Sequence, residues 1–100
     1  MVFIMKNSLL SVEKIERYLL ITSKAREKAT PITKSEDDEK KLSLMLRMCD
    51  DYASDARHFL DSGNLIDAFG AINYAHAWID AAVKIGFLDG HDDDILFTLP

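Results

Sequence analysis

Helix breakers are scarce in this chain, four glycines and two prolines, and Pro31, Gly63 and Gly86 stand where periodic segments stop. Glycine accepts the left-handed conformation that closes a helix and proline cannot continue one, so each marks an end. Start signals agree. Ser35 with Asp38, and Asn64 with Asp67, each offer an N-cap oxygen followed by a first-turn carboxylate, where unpaired N–H groups and the helix dipole favour negative charge. The pattern predicts helices over about residues 8–29, 36–62 and 65–85, and a tail over 87–100.

The three segments differ in how much surface they must bury. In the first, Leu9, Val12, Ile15 and Leu19 recur at spacings of three and four and make one stripe. The second carries a contiguous arc of Leu42, Met45, Cys49, Tyr52, Ala56, Phe59 and Leu60, with Asp50, Ser54, Arg57 and Asp61 opposite. In the third, apolar residues from Leu65 to Ile85 cover most of the circumference. Such a helix either sits between the other two or lends its remaining apolar surface to a partner. The links DSGN and TPITKS are short and favour antiparallel returns. The expected fold is therefore all-α, an up-and-down antiparallel three-helix bundle in one domain with a C-terminal extended tail. Ile95, Leu96, Phe97 and Leu99 are too much apolar surface to leave in water, so the tail should dock on the bundle or on another chain.

Composition narrows the function. A net charge of -5 repels a phosphate backbone, which disfavours nucleic acid as a partner. No apolar run approaches the roughly 20 residues of a membrane span, and the opening MVFIM meets Lys6 and Asn7 at once, so neither a membrane segment nor a secretory signal is expected. Cys49 is the single cysteine, which rules out an intrachain disulfide and points to a reducing cytoplasm. Phosphate-cradling glycine loops and nucleophile elbows are missing.

One stretch, AINYAHAWID, raises the question of a site. Asn73, His76, Asp80 and Lys84 fall on one narrow polar stripe of the third helix, because offsets of three, seven and eleven return to nearly the same direction. The plain reading is the solvated face of an amphipathic helix. The sharper one is a site: His76 and Asp80 are four apart and can meet, and an imidazole held by a carboxylate serves as a base, a proton shuttle or a metal ligand. On the second helix Asp55 lies at the edge of the apolar arc, about as far before Gly63 as Asn73 lies after it, and is expected to face Asn73, Tyr74 or His76. The candidate ligand-binding set is Asp55, Asn73, Tyr74, His76 and Asp80. No catalytic residue, cofactor or metal is assigned. Asp55, His58, His76 and Asp80 are acceptable metal ligands by type, but an H-E-x-x-H spacing is absent. Cys49 reads as a small core residue, and Asp92 to Asp94 lack the Gly and Glu of a calcium loop.

Tyr52 to Phe87 resembles a small archaeal helical family catalogued as domain of unknown function 357. The matching residues are Tyr52, Asp55, Ala56, Phe59, Leu60, Gly63, Ala68, Phe69, the YAH run Tyr74 to His76, Trp78, Asp80, Ala81 and Gly86. The resemblance implies an up-and-down three-helix bundle and carries no assigned activity. A more distant similarity is to HEPN-type helical domains, some of which cleave RNA with an Arg and a His four to six residues apart. Here Arg57 adjoins His58 and no Arg precedes His76 at that spacing, so little of the ribonuclease implication carries over.

The function expected from these readings is a non-enzymatic interaction module, binding another protein or itself as a homodimer through the third helix and the tail. The alternative is a ligand-binding, metal-binding or enzymatic domain built on the Asp/Tyr/His/Asp cluster. A third, an accessory substrate-binding subunit for a nucleotidyltransferase, rests on the helical-hairpin analogy alone.

Overall fold

The computed structural model describes residues 9–98; the opening MVFIM with Lys6 and Asn7, the helix start expected at residue 8, and Leu99 lie outside them. Three helices form the bundle: α1 (Val12–Lys28), α2 (Glu36–Asp61) and α3 (Leu65–Lys84). Two short strands, β1 (Thr30–Pro31) and β2 (Leu88–Asp89), pair antiparallel with Thr30 opposite Asp89 and Pro31 opposite Leu88. This pairing ties the chain after α3 to the link between α1 and α2.

Helix ends follow local hydrogen bonding. Ser11 accepts from the Lys14 N–H at 3.1 Å, so α1 opens at Val12 and not near residue 8. As a result Leu9 and Val12 are exposed, and the buried side of α1 is Ile15, Thr22 and Ala25. Ser35 caps α2 through the Asp38 N–H as expected. Asn64 does not cap α3 with its side chain. Its backbone belongs to a Schellman turn: the Asn64 N–H donates to the Phe59 carbonyl at 2.8 Å, and that of Gly63 to Leu60 at 3.0 Å. The same pair of bonds closes α3, from Phe87 to Ala82 and from Gly86 to Val83, with Gly63 and Gly86 both left-handed.

The core sits where α3 meets both other helices. Ala68, Ile72, Ala75, Ile79 and Ala82 are fully buried along one side of α3, against Leu42, Cys49, Ala56 and Leu60 of α2 and Ile15 and Ala25 of α1. Alanine at three of those α3 positions lets the helix axes approach closely. The tail docks on this bundle, as its apolar residues require, with Leu88 and Phe97 buried and Ile95 in solvent. It is extended only over β2. Asp93 then accepts from the N–H groups of Ile95 and Leu96, and the Phe97 N–H reaches the Asp93 carbonyl, folding the chain into a tight turn.

Cys49 is core, as its place on the arc of α2 suggests. Burial, helped by Asp50 and opposed by Arg26, pushes its thiol up to about 11. The thiolate is the reactive form, so an aromatic disulfide reagent at pH 8 should label Cys49 on the order of 100-fold more slowly in the native protein than in urea.

Candidate functional site

The polar stripe of α3 is solvated only in part. Asn73 and Lys84 are exposed, but His76 and Asp80 lie half-buried between α1 and the tail. His76 Nε2 is 2.7 Å from the Leu96 carbonyl oxygen, which can only accept, so Nε2 carries the proton and donates. In the neutral ring Nδ1 is then the acceptor, and the Thr22 hydroxyl donates to it at 2.9 Å. One imidazole thus bonds α1, α3 and the tail together. Asp80 clamps the next residues of the tail: Oδ1 accepts from the Thr98 N–H at 3.0 Å and Oδ2 from its hydroxyl at 3.1 Å. His76 Nε2 and Asp80 Oδ1 stand 3.8 Å apart, too far for a hydrogen bond.

Asp55 and Tyr74 belong elsewhere. Tyr74 and His76 are two residues apart, about 200° around a helix, so both cannot face α2. Tyr74 takes that side and packs edge-on to Tyr52, with centroids 4.4 Å apart. Asp55 is exposed and lines a surface notch between α2 and α3 with Tyr52, Phe59, Asp67, Gly70, Ala71 and Tyr74. The five candidate residues therefore split into two groups. Asn73, His76 and Asp80 share one side of α3; Asp55 and Tyr74 share the other. Asn73 spends its amide N–H on the Phe69 carbonyl of its own helix at 2.8 Å.

Asn73, His76 and Asp80 border an open cleft of about 280 Å³, lined also by Tyr18, Ile21, Thr22, Ile72, Ala77 and Thr98. Thr22 and Thr98 are the partners that residue reasoning overlooked. Thr22 continues the Ile15, Leu19 spacing and could have been placed on the buried side; Thr98 has no local signal, since its position depends on how the tail folds back. Both ring nitrogens of His76 and both carboxylate oxygens of Asp80 already have protein partners. That arrangement is suited to holding the tail more than to moving protons. Among the described residues no three His, Cys, Asp or Glu side chains converge in a way that could hold a metal ion.

The tail has a third tether. Lys28 Nζ lies 2.8 Å from Asp93 Oδ2, and this bond, reinforced by the Leu96 and Ile95 N–H groups, holds the Asp93 carboxyl below the usual carboxylate range. A depressed carboxylate stabilises the fold above its unfolded pKa, near 4, and that contribution is lost as pH falls through the folded value. Acid titration of stability should therefore show a falling limb below about pH 4 that Asp93→Asn makes shallower, read by chemical denaturation at each pH.

The sequence profile of a family described as protein of unknown function, DUF357, matches residues 17–88. The chain belongs to the DUF357 family. The DUF357 match takes in most of α1, all of α2 and α3, and both groups of candidate residues, while the turn from Asp89 to Thr98 lies beyond it. No curated protein and no solved structure matches the chain. Among the described residues no helix is long and apolar enough to cross a membrane.

Proposed function

We propose that this DUF357 chain is a non-enzymatic protein-interaction module of a reducing compartment such as the cytoplasm, and that the outer face of α3 is its binding surface. One observation carries the reading: Ile66 and Tyr74 of α3 and its C-cap Ile85 remain 79%, 49% and 57% exposed. They fall on a single line with Gly70, Ala77 and Ala81, at spacings of three and four. Apolar surface gathered on one helix face, with His76 and Asp80 of the adjoining stripe engaged in holding the tail, suits a binding partner better than a substrate. The test immobilises the chain and compares retention of proteins from an extract of its source cells. A protein held by wild type and by His76→Ala, but lost by Ile66→Lys/Tyr74→Lys, supports the reading; retention by all three, or by none, removes it.

A small-molecule site is the second reading, favoured by the cleft at His76 and Asp80, whose volume is near the lower end for ligand pockets. Native mass spectrometry decides it. A bound mass on wild type that vanishes in His76→Ala would support a ligand, and equal spectra would leave the cleft as packing.

A further inference from the structure

We propose that the partner on the outer face of α3 is a second copy of this chain, packed antiparallel about a two-fold axis. This rests on the interaction-module reading and names its occupant.

Gly70 gives the first reason. A glycine within a helix is unfavourable relative to alanine, and a Cβ built at Gly70 would meet nothing within 4 Å. Nothing among the described residues asks for glycine there. A missing side chain on an exposed helix face admits the close approach of something from outside. The second reason is the notch beside it, where Asp55 and Asp67 stand among Tyr52, Phe59 and Tyr74. Neither carboxylate has an ion-pair partner among the described residues. A cation brought to this notch would meet two carboxylates and aromatic rings.

The chain carries such a cation at the edge of this face, where the polar stripe adjoins it. Lys84 lies in the last turn of α3, exposed and likewise without an ion-pair partner among the described residues. It is about 25 Å along the helix from Asp67, so the two cannot meet within one copy. Antiparallel packing of two α3 helices brings them together. With the partner's Lys84 beside Asp67, the partner's Ala81 falls opposite Gly70, the partner's Ala77 opposite Tyr74, and the partner's Ile85 opposite Ile66. A small residue then meets the glycine notch, a ring meets an alanine, and apolar ends meet apolar ends. Two-fold symmetry repeats each pair, so both charged ends are satisfied at once. Parallel packing would instead set Asp67 on Asp67 and Lys84 on Lys84, which repel.

Sedimentation equilibrium over a range of concentrations tests this on the full chain. Wild type should dimerise reversibly. Asp67→Lys and Lys84→Asp should each weaken association on the order of 10-fold, since each change strikes two pairs, and the two combined should restore it. Gly70→Leu should abolish the dimer while circular dichroism shows a helix content and melting temperature no lower than wild type, because leucine favours helix and the space around Gly70 is open. A wild-type monomer at every concentration overturns the proposal. So does a dimer indifferent to Gly70→Leu, or a double swap that fails to restore. A monomer that still retains a foreign protein through Tyr74 would sink the self-pairing alone and leave the module reading standing.

Discussion

Phe97→Ala should cost about 3–4 kcal/mol of stability, the usual loss when a buried aromatic ring is cut back to a methyl group. The ring is 2% exposed and belongs to the main core cluster. It lies so close to Gly90 that a Cβ there would come within 3.0 Å of its edge, so the turn of the tail is moulded around it. The cost has a ceiling. Residues 88–98 are also held by the Lys28–Asp93 pair, by His76 on Leu96 and by Asp80 on Thr98. If these yield before the helices do, the tail leaves as a unit and the helices keep their remaining stability. Urea unfolding followed by circular dichroism gives the total, and amide exchange at Leu96, Phe97 and Thr98 shows whether the loss is local. A loss under about 1 kcal/mol with unchanged exchange in the tail would mean that Phe97 is not part of the core.

The fold is written in local rules, which is why most of it was legible. The arc of α2 needs only the 3.6-residue period to predict that Leu42, Cys49, Ala56 and Leu60 turn inward, and they do. Gly63 and Gly86 need only the left-handed preference of glycine. Failures came where two local signals compete. The apolar spacing that begins at Leu9 draws the first helix out too early, and only the bond from Lys14 to Ser11 shows that it opens at Val12. Asn64 has the right side chain for a cap, but the Schellman turn before it has already committed its backbone. The pairing of β1 with β2 joins residues nearly sixty apart in sequence and leaves no trace in either segment.

For the candidate residues, spacing along each helix was legible and surroundings were not. Asn73, His76 and Asp80 share one side of α3, as their spacing requires, yet what surrounds them depends on where a tail with one buried aromatic comes to rest. That docking turned a stripe read as solvated into a bonded seam. The grouping of Asp55 with His76 fails for a reason already in the numbering: Tyr74 and His76 point about 200° apart, so a carboxylate on α2 that reaches one misses the other. What α2 does reach is Tyr74 beside Gly70, a glycine whose absent side chain no rule of helix formation explains.

His76→Ala should destabilise the chain by about 2–3 kcal/mol, from two lost hydrogen bonds near 1 kcal/mol each and the polar groups left behind. Thr22 is 3% exposed, and without Nδ1 its hydroxyl must turn to the backbone of its own helix. The Leu96 carbonyl borders the cleft and can take water. His76→Gln should lose about half as much, since its amide keeps a donor for Leu96 but cannot reach both partners from one position. Thr22→Val completes a double-mutant cycle with His76→Ala, and the two should be coupled by about 1 kcal/mol. Additive losses would show that Nδ1 and the Thr22 hydroxyl do not support each other. If His76 is a tether, the Gly70-dependent association of two copies should survive its removal, because the His76 ring is bonded to Thr22 and the tail and takes no part in the outer face. An association that disappears with His76 while the helices remain folded would place the binding surface at the tail.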